Sequence, residues 1–332
     1  MVPKLKKVAV FLARWVALVL LGLFTLWTFG AVYYNGPFGW KAANFILGLI
    51  WLVVSVLLIR KNKRPLLRYP VWMACLAMVL IPWSLISPSN DREWQADWRK
   101  TGWVEIEGDK VTFHNYRDFD YTIEGAVAEI WGEKTVRLSR LQGIDYCHVA
   151  FGGEYIAHSM MSFDFGEDGR VVLSIETRRE IGESYSELGG LYKMFELQYI
   201  FGSERDLVRV RTNIRDEPIY LYEMNVGVEA AREIFLESVQ AQNDLKENPR
   251  WYHVITANCT TSFRAQTPER KRKAFDIRLL LNGKLDELLF ERGGLKTGDE
   301  DFQTLRRNAY INEKAQKVHD APDFSELIRK KD

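Results

Sequence analysis

Cys259 closes an apolar run, Trp251 to Ala257, after Asn258, and Thr260, Thr261 and Ser262 then lead into a helix-like stretch through Phe263. A thiol at a helix start feels unpaired backbone N–H groups and the positive end of the helix dipole, which together favour thiolate. That is how a cysteine becomes a nucleophile. The competing reading is a small, buried, inert residue, and a basic partner would separate the two. His158 offers one. It belongs to IAHSMMSFDF, residues 156–165, which alternates as a strand, and VVLSIETR, residues 171–178, alternates as its partner across Gly166 to Gly169. Side chains two apart share a face. Met161, Phe163 and Phe165 therefore go with Leu173 and Ile175, while His158, Met160 and Ser162 look across at Ser174, Glu176 and Arg178. Pairing Ser162 with Val172 sets His158 opposite Glu176. A carboxylate beside an imidazole orients one ring nitrogen and makes the other more basic, as a thiol-activating base requires.

The elements that must position these groups fall into two parts, with charge divided between them. Residues 1–90 carry ten basic and no acidic side chains, whereas the remainder holds 35 basic against 44 acidic, so +10 and −9 hide inside a net charge of +1. An acidic soluble part argues against nucleic acid as a partner. Val8 to Gly30, Trp40 to Ile59 and Leu66 to Ile86 are apolar runs long enough to cross a bilayer, which predicts three transmembrane helices in a membrane domain, residues 1–88. Lys4, Lys6 and Lys7 precede the first span and five basic residues fill the Arg60–Arg68 loop, so the N-terminus is expected in the cytoplasm and residues 89–332 outside the inner membrane. A cleaved signal peptide is the rival reading of the first run, but it is long for one and Gly30-Ala31-Val32 is a poor cleavage site.

In the soluble part, Trp103 to Ile106 and Val111 to His114 read as a hairpin around Glu107-Gly108-Asp109. Gly125 to Trp131 and Thr135 to Arg140 read as further strands or a strand and turn, and Pro218 to Val226 as another strand. Leu191 to Gly202 reads either as a buried strand and turn or as a lid pressed against lipid, and weak alternation continuing through Asp206 to Thr212 favours the core. Gly227 to Asn248 is the clearest helix, with Val228, Ala231, Ile234, Phe235 and Val239 at helical spacing and Asn248-Pro249 as its stop. Arg270 to Lys273 is a basic run read as solvated surface. Ile277 to Leu289 is helical unless Asn282-Gly283 breaks it, and the polar tail from Phe302 wraps the domain. The fold class is therefore α+β. No glycine-rich phosphate loop follows a strand, no HExxH or CxxC occurs, and the five histidines do not fall at metal-ligand spacings, so neither a metal nor another cofactor is expected. Three cysteines, Cys75, Cys147 and Cys259, are too few for a disulfide scaffold. A Cys147–Cys259 bridge would make the soluble part a binding protein without catalysis.

IAHSMMSFDF, LSIETRREIGESYS, DLVRVRTN and WYHVITANCTTSFR occur in an order that resembles the successive motifs of the Lnb-type lipoprotein N-acyltransferase family, over about Asp118 to Arg264. That family is similar to circularly permuted papain-like thiol enzymes of the NlpC/P60 kind, in which the histidine strand precedes the cysteine helix. The resemblance implies an antiparallel sheet with packed helices, Cys259 as nucleophile, His158 as base and Glu176 as its orienting residue. It implies a phospholipid acyl donor, a diacylated lipoprotein acceptor and catalysis in the periplasm on the inner membrane. The Cys259 N–H and the Asn258 side chain are candidates for an oxyanion site. Arg178, Arg179 and Arg211 are candidates for lipid phosphate, each equally able to form a structural ion pair. His253, six residues before the thiol, departs from the family pattern and is a rival base, too distant if the segment is extended. A cysteine peptidase or amidase acting on cell-wall peptides would use the same pair with water as acceptor.

Overall fold

The computed structural model describes residues 2–61, 65–122, 124–125, 127–266 and 273–330. Lys63 and Arg64 of the expected basic loop, and Arg270 to Arg272 of the basic run, lie outside them. The chain packs as two units, one formed by the N-terminal residues up to Pro88 with Ser186–Met194, the other by Ser89–Tyr185 with Phe195 onward.

The first unit contains helices α1 (Val2–Asn35), α2 (Lys41–Lys61) and α3 (Pro65–Leu85). Phe11–Asn35 and Lys41–Leu58 are long and apolar enough to cross a membrane, while the apolar part of α3, Pro70–Leu85, is shorter. On length and composition two helices therefore qualify as spans, and the expected third is not clearly one. The few polar groups among these helices pair with one another: Trp51 Nε1 donates to Thr28 Oγ1 at 2.6 Å and Trp72 Nε1 to Thr25 Oγ1 at 3.2 Å, as polar side chains do where no water competes. Ser186–Met194 packs here too. The Tyr192 ring stacks on Tyr34 at 5.2 Å and lies so close to Gly30 that a Cβ there would come within 2.2 Å of it. Lys193 Nζ donates to the carbonyls of Trp83, Ser84 and Ile86, at the end of α3 and just beyond it, where helical carbonyls run out of intrahelical donors.

The second unit is built on one sheet. Its strands are β1 (Trp103–Glu107), β2 (Lys110–Arg117), β5 (Trp131–Arg137), β6 (Gly143–Gly152), β7 (Ile156–Asp164), β8 (Arg170–Arg178), β9 (Glu196–Gly202) and β10 (Ile219–Glu223), with β3 (Asp120–Tyr121) and β4 (Val127–Ala128) pairing apart. The order is β1-β2-β9-β8-β7-β6-β10, with β5 also on β2. Every pairing is antiparallel except β2 with β9, so the sheet is mixed where a purely antiparallel one was expected. The β1–β2 hairpin forms around Gly108 at φ +62, a value that only glycine adopts freely. Ser162 faces Val172 across β7 and β8, the register that alternation requires.

Helix α5 (Val228–Glu247) covers one face, with Phe235 packed against Phe113, Phe163, Phe165 and Phe201. The other face holds Cys147, Val149, Met160 and Val172 against Ile311, Ala315, Phe324 and Ile328. The tail therefore completes the core from short helices rather than lying on the surface. Three other local expectations are corrected. Asp206 to Thr212 does not extend a strand: Ser203 caps a helical turn, α4 (Glu204–Leu207), and a π-helical turn, Val210–Ile214, follows. The buried Asp206 carboxylate holds Arg117, Tyr121 and the Phe119 N–H, bonds that an exposed strand end would forgo. Glycine breaks the expected 277–289 helix into 3-10 turns, Ile277–Leu279 and Asn282–Lys284, before α7 (Leu285–Glu291). Finally, Trp251 to Ala257 is not one extended run. It pairs with β9 at Glu196↔Trp251 and then folds into a tight turn closed by His253↔Ala257.

Candidate active site

The pairing of β7 with β8 ends at Met160↔Ser174. Beyond it the Asn282 side chain takes over as the partner of Ala157, its Oδ1 accepting the Ala157 N–H at 2.8 Å and its Nδ2 donating to the Ala157 carbonyl at 2.7 Å. A carboxamide offers the same donor–acceptor pair as a neighbouring strand, so β7 stays satisfied while β8 departs. Gly283 permits the approach, because a Cβ there would lie 2.3 Å from the Glu154 carbonyl oxygen. Helix α6 (Cys259–Gln266) packs on both strands. Asn282 Nδ2 also donates to Thr260 Oγ1 at 2.9 Å and lies 3.7 Å from Cys259 Sγ.

Cys259 occupies the first position of α6. Asn258 caps the helix: its Oδ1 accepts the Thr261 N–H at 2.8 Å, and its Nδ2 donates to the Val254 carbonyl at 2.6 Å. This is the ordinary work of an asparagine at that position, and it leaves the side-chain amide engaged, against the expected oxyanion role for Asn258. The Cys259 N–H has no acceptor among the described residues. Burial pushes the Cys259 thiol up. The His158 hydrogen bond and charge, a backbone hydrogen bond from Ser159 and the Thr260 hydroxyl outweigh it, and the pKa falls below the ordinary thiol value.

His158 Nε2 is 2.7 Å from Ser174 Oγ, which donates to Glu176 Oε1 at 2.6 Å, and Nε2 also lies 3.3 Å from that same oxygen. The other ring nitrogen is left to the thiol. Burial and Arg211 push the imidazole pKa down, but Glu176 and the Cys259 hydrogen bond raise it above its usual value. Burial would raise Glu176, yet His158, Arg211 and Ser174 hold it well below the carboxylate range. The two shifts run toward each other, the thiol's down and the imidazole's up, beside a carboxylate held well below its ordinary range.

Of the three arginines expected at phosphate, two are committed elsewhere. Arg178 is 1% exposed, stacks over Trp94 at 4.2 Å and donates to the carbonyls of Trp98 and Arg99 and to Asn90 Oδ1. Arg211 holds Glu176 and Glu217, each at 2.9 Å, and so positions the carboxylate of the relay. Arg179 differs: its guanidinium stacks on Trp98 at 3.9 Å and has no carboxylate partner among the described residues. His253 Nδ1 accepts the Ile255 and Thr256 N–H groups of its own turn, and burial lowers its pKa, so the rival base is occupied. Cys147 and Cys259 are both free thiols, which removes the bridged alternative. Sequence reasoning gave no role to Ser174, although it placed that residue on the His158 face, and it read Asn282 only as a helix breaker.

The second unit is thus a mixed α+β domain in which a lowered thiol at a capped helix start meets an imidazole that is itself bonded toward a fixed carboxylate. Residues 128–283 match the family described as the Lnb N-terminal periplasmic domain. Over those residues the chain is similar to that family, which is associated with enzymatic lipoprotein modification, and the match together with the apolar N-terminal helices supports a membrane protein with a periplasmic domain. No curated protein and no solved structure matches the chain.

Proposed function

We propose that the chain is a lipoprotein N-acyltransferase, with Cys259 as nucleophile, His158 as base and Glu176 as the residue that orients it. The thiolate attacks the ester carbonyl of a membrane phospholipid. The ester C–O bond breaks, the lysophospholipid alkoxide leaves with the proton from His158, and a Cys259 thioester remains. The α-amine of a diacylated lipoprotein then attacks the thioester carbonyl. The C–S bond breaks, the amine proton passes to His158, and the product is an N-acylated lipoprotein. The Cys259 N–H, at the positive end of α6, would stabilise the oxyanion of both tetrahedral steps, and Arg179 is the guanidinium still free to meet lipid phosphate.

The observation that carries this reading is the imidazole-bonded thiol, with its pKa shifted down and that of the histidine shifted up. The order of histidine strand before cysteine helix supports a permuted papain-like fold. The basic residues flanking the helices support three spans, a cytoplasmic N-terminus and a periplasmic domain from about residue 89. Phospholipid with a labelled acyl chain, given to the full chain in nanodiscs, should leave hydroxylamine-sensitive label on the wild type and none on Cys259→Ala. Adding a diacylated lipopeptide should move the label to its N-terminus, read by mass spectrometry. An unlabelled wild type that instead releases cell-wall peptide would establish the amidase.

A further inference from the structure

A hydroxyl group stands between each half of the thiol–imidazole pair and a fixed polar side chain, and the two connections run in opposite senses. On the imidazole side, Ser174 Oγ lies 2.7 Å from His158 Nε2 and donates to the Glu176 carboxylate at 2.6 Å. That line ends on an acceptor, so it favours positive charge on the ring. On the thiol side, Thr260 Oγ1 lies 3.9 Å from Cys259 Sγ and 2.9 Å from Asn282 Nδ2. Ala157 decides which way this second line runs. Its N–H can only donate and its carbonyl can only accept, so Asn282 presents Oδ1 to the first and Nδ2 to the second, at 2.8 and 2.7 Å. An amide nitrogen has no lone pair to offer, and Thr260 Oγ1 therefore receives a hydrogen from Asn282. The hydroxyl's own hydrogen then has Cys259 Sγ as its one acceptor among the described residues.

Thr260 and Asn282 are 3% and 7% exposed, so water offers little competition, and a hydrogen bond to a forming anion gains strength in such surroundings. Asn282 Nδ2 also lies 3.7 Å from Sγ itself. The same side chain ties together the two elements that carry the reacting groups. Through Ala157 it holds β7 one residue ahead of His158, and through Thr260 it holds α6 one residue past Cys259. The helix start does not call for this hydroxyl, because Asn258 already caps α6. The Thr260 hydroxyl is also among the groups that hold the thiol pKa down.

We propose that Asn282 and Thr260 form a donor line to Cys259 Sγ that stabilises the thiolate: Asn282 is the positioning residue that turns the hydroxyl hydrogen toward sulfur, and Thr260 donates it to the anion when the thiol proton leaves for His158. The proposal rests on Cys259 as the nucleophile of the reading above, not on the identity of the acyl donor. The test follows iodoacetamide alkylation of Cys259 against pH, by peptide mass spectrometry, in the full chain held in nanodiscs. Thr260→Val keeps the shape and removes the hydroxyl. Its midpoint should rise by about half a unit to one unit, with alkylation near neutral pH about threefold to tenfold slower. Thr260→Ser returns the hydroxyl and should restore the wild-type midpoint. Asn282→Asp keeps an acceptor for the Ala157 N–H, but its carboxylate draws the Thr260 hydrogen away from sulfur, so the midpoint should rise at least as far as with valine. A Thr260→Val profile that coincides with wild type would overturn the proposal. So would a serine variant that shifts like valine, because packing rather than the hydroxyl would then be responsible. Labelled phospholipid given to the same wild-type chain separates this proposal from the acyltransferase reading. Midpoints that shift as stated, with no thioester on the wild type, would support the donor line and refute the acyltransferase; a thioester with unmoved midpoints would do the reverse.

Discussion

Cys259 with His158 and Cys147 with His148 are two thiol–imidazole combinations in the same unit, all four side chains buried, yet their protons are held in opposite ways. Cys147 lies mid-strand on β6 among Val149, Met160, Val172 and Ile219, where burial drives the thiol far up. Its neighbour cannot help, because successive side chains on a strand point to opposite faces. His148 bonds the Tyr146 hydroxyl at 3.1 Å and lies 3.8 Å from Asp286, and burial lowers its pKa. Cys259 and His158 shift the other way under the same loss of water. Burial is common to both combinations, so it cannot be what makes a reactive thiol. The difference is a set of donors at a capped helix start and an imidazole whose far nitrogen is tied to an ionised carboxylate. Residues about a hundred positions apart achieve this, while two adjacent ones do not.

The sharpest way to break the contrast is to delete each sulfur. Cys259→Ala should reduce acyl transfer by about a thousandfold or more, measured as thioester and as N-acylated lipopeptide. Cys147→Ala should keep transfer and lose only about 1 kcal/mol of stability in a denaturant melt. Equal losses from the two would erase the distinction.

Deleting each imidazole comes next. His158→Ala removes the hydrogen bond and charge that oppose burial, so the Cys259 pKa should rise. Near neutral pH, iodoacetamide alkylation should slow by about a hundredfold, and the midpoint of its pH profile should move to higher pH. In the wild type that midpoint lies below the usual thiol value of about 8.5. His148→Ala should leave the profile where it is.

How much of this could be read before any coordinates depended on whether a group acts through local pattern or through chain reversal. His158, Glu176 and the β7–β8 register follow from two-residue alternation, and the helix start at Cys259 follows from Asn-Cys and the hydroxyl residues after it. The strand β6 left no such signal, because GIDYCHVAFG is buried on both faces and puts Asp145, Tyr146 and His148 among its apolar residues. Asn282 was hidden for a different reason: its bonds to Ala157 bridge 125 positions, and locally it looks only like a turn residue beside glycine. The arginines misled because charge alone does not reveal commitment. Arg178 and Arg179 are neighbours in sequence, one locked into carbonyls and the other with no carboxylate partner among the described residues.

A smaller effect tests the relay behind His158. Glu176→Gln keeps the shape and removes the charge that helps raise the imidazole pKa, so transfer should fall by roughly tenfold to a hundredfold. The sign of the pH dependence follows from the depressed Glu176 pKa. A carboxylate held below its unfolded value of about 4.3 stabilises the fold above that pH and loses this contribution as the pH falls through the folded value. The stability gap between wild type and Glu176→Gln should therefore be largest near neutrality and close in acid. A gap that widens in acid would mean that Glu176 is not held ionised.

The smallest expected effect separates a cap from a catalytic donor at Asn258. Alanine there leaves the Thr261 N–H without its acceptor and should cost about 1 kcal/mol of stability. Serine caps nearly as well but has no amide to donate to an oxyanion, so Asn258→Ser should keep both stability and transfer close to wild type. An amide that met the oxyanion would make serine and alanine fail alike, each by roughly a hundredfold in rate. With Nδ2 already donating to Val254, the expected outcome is that serine rescues what alanine loses, which would leave the Cys259 N–H as the donor that the thiol carries with it.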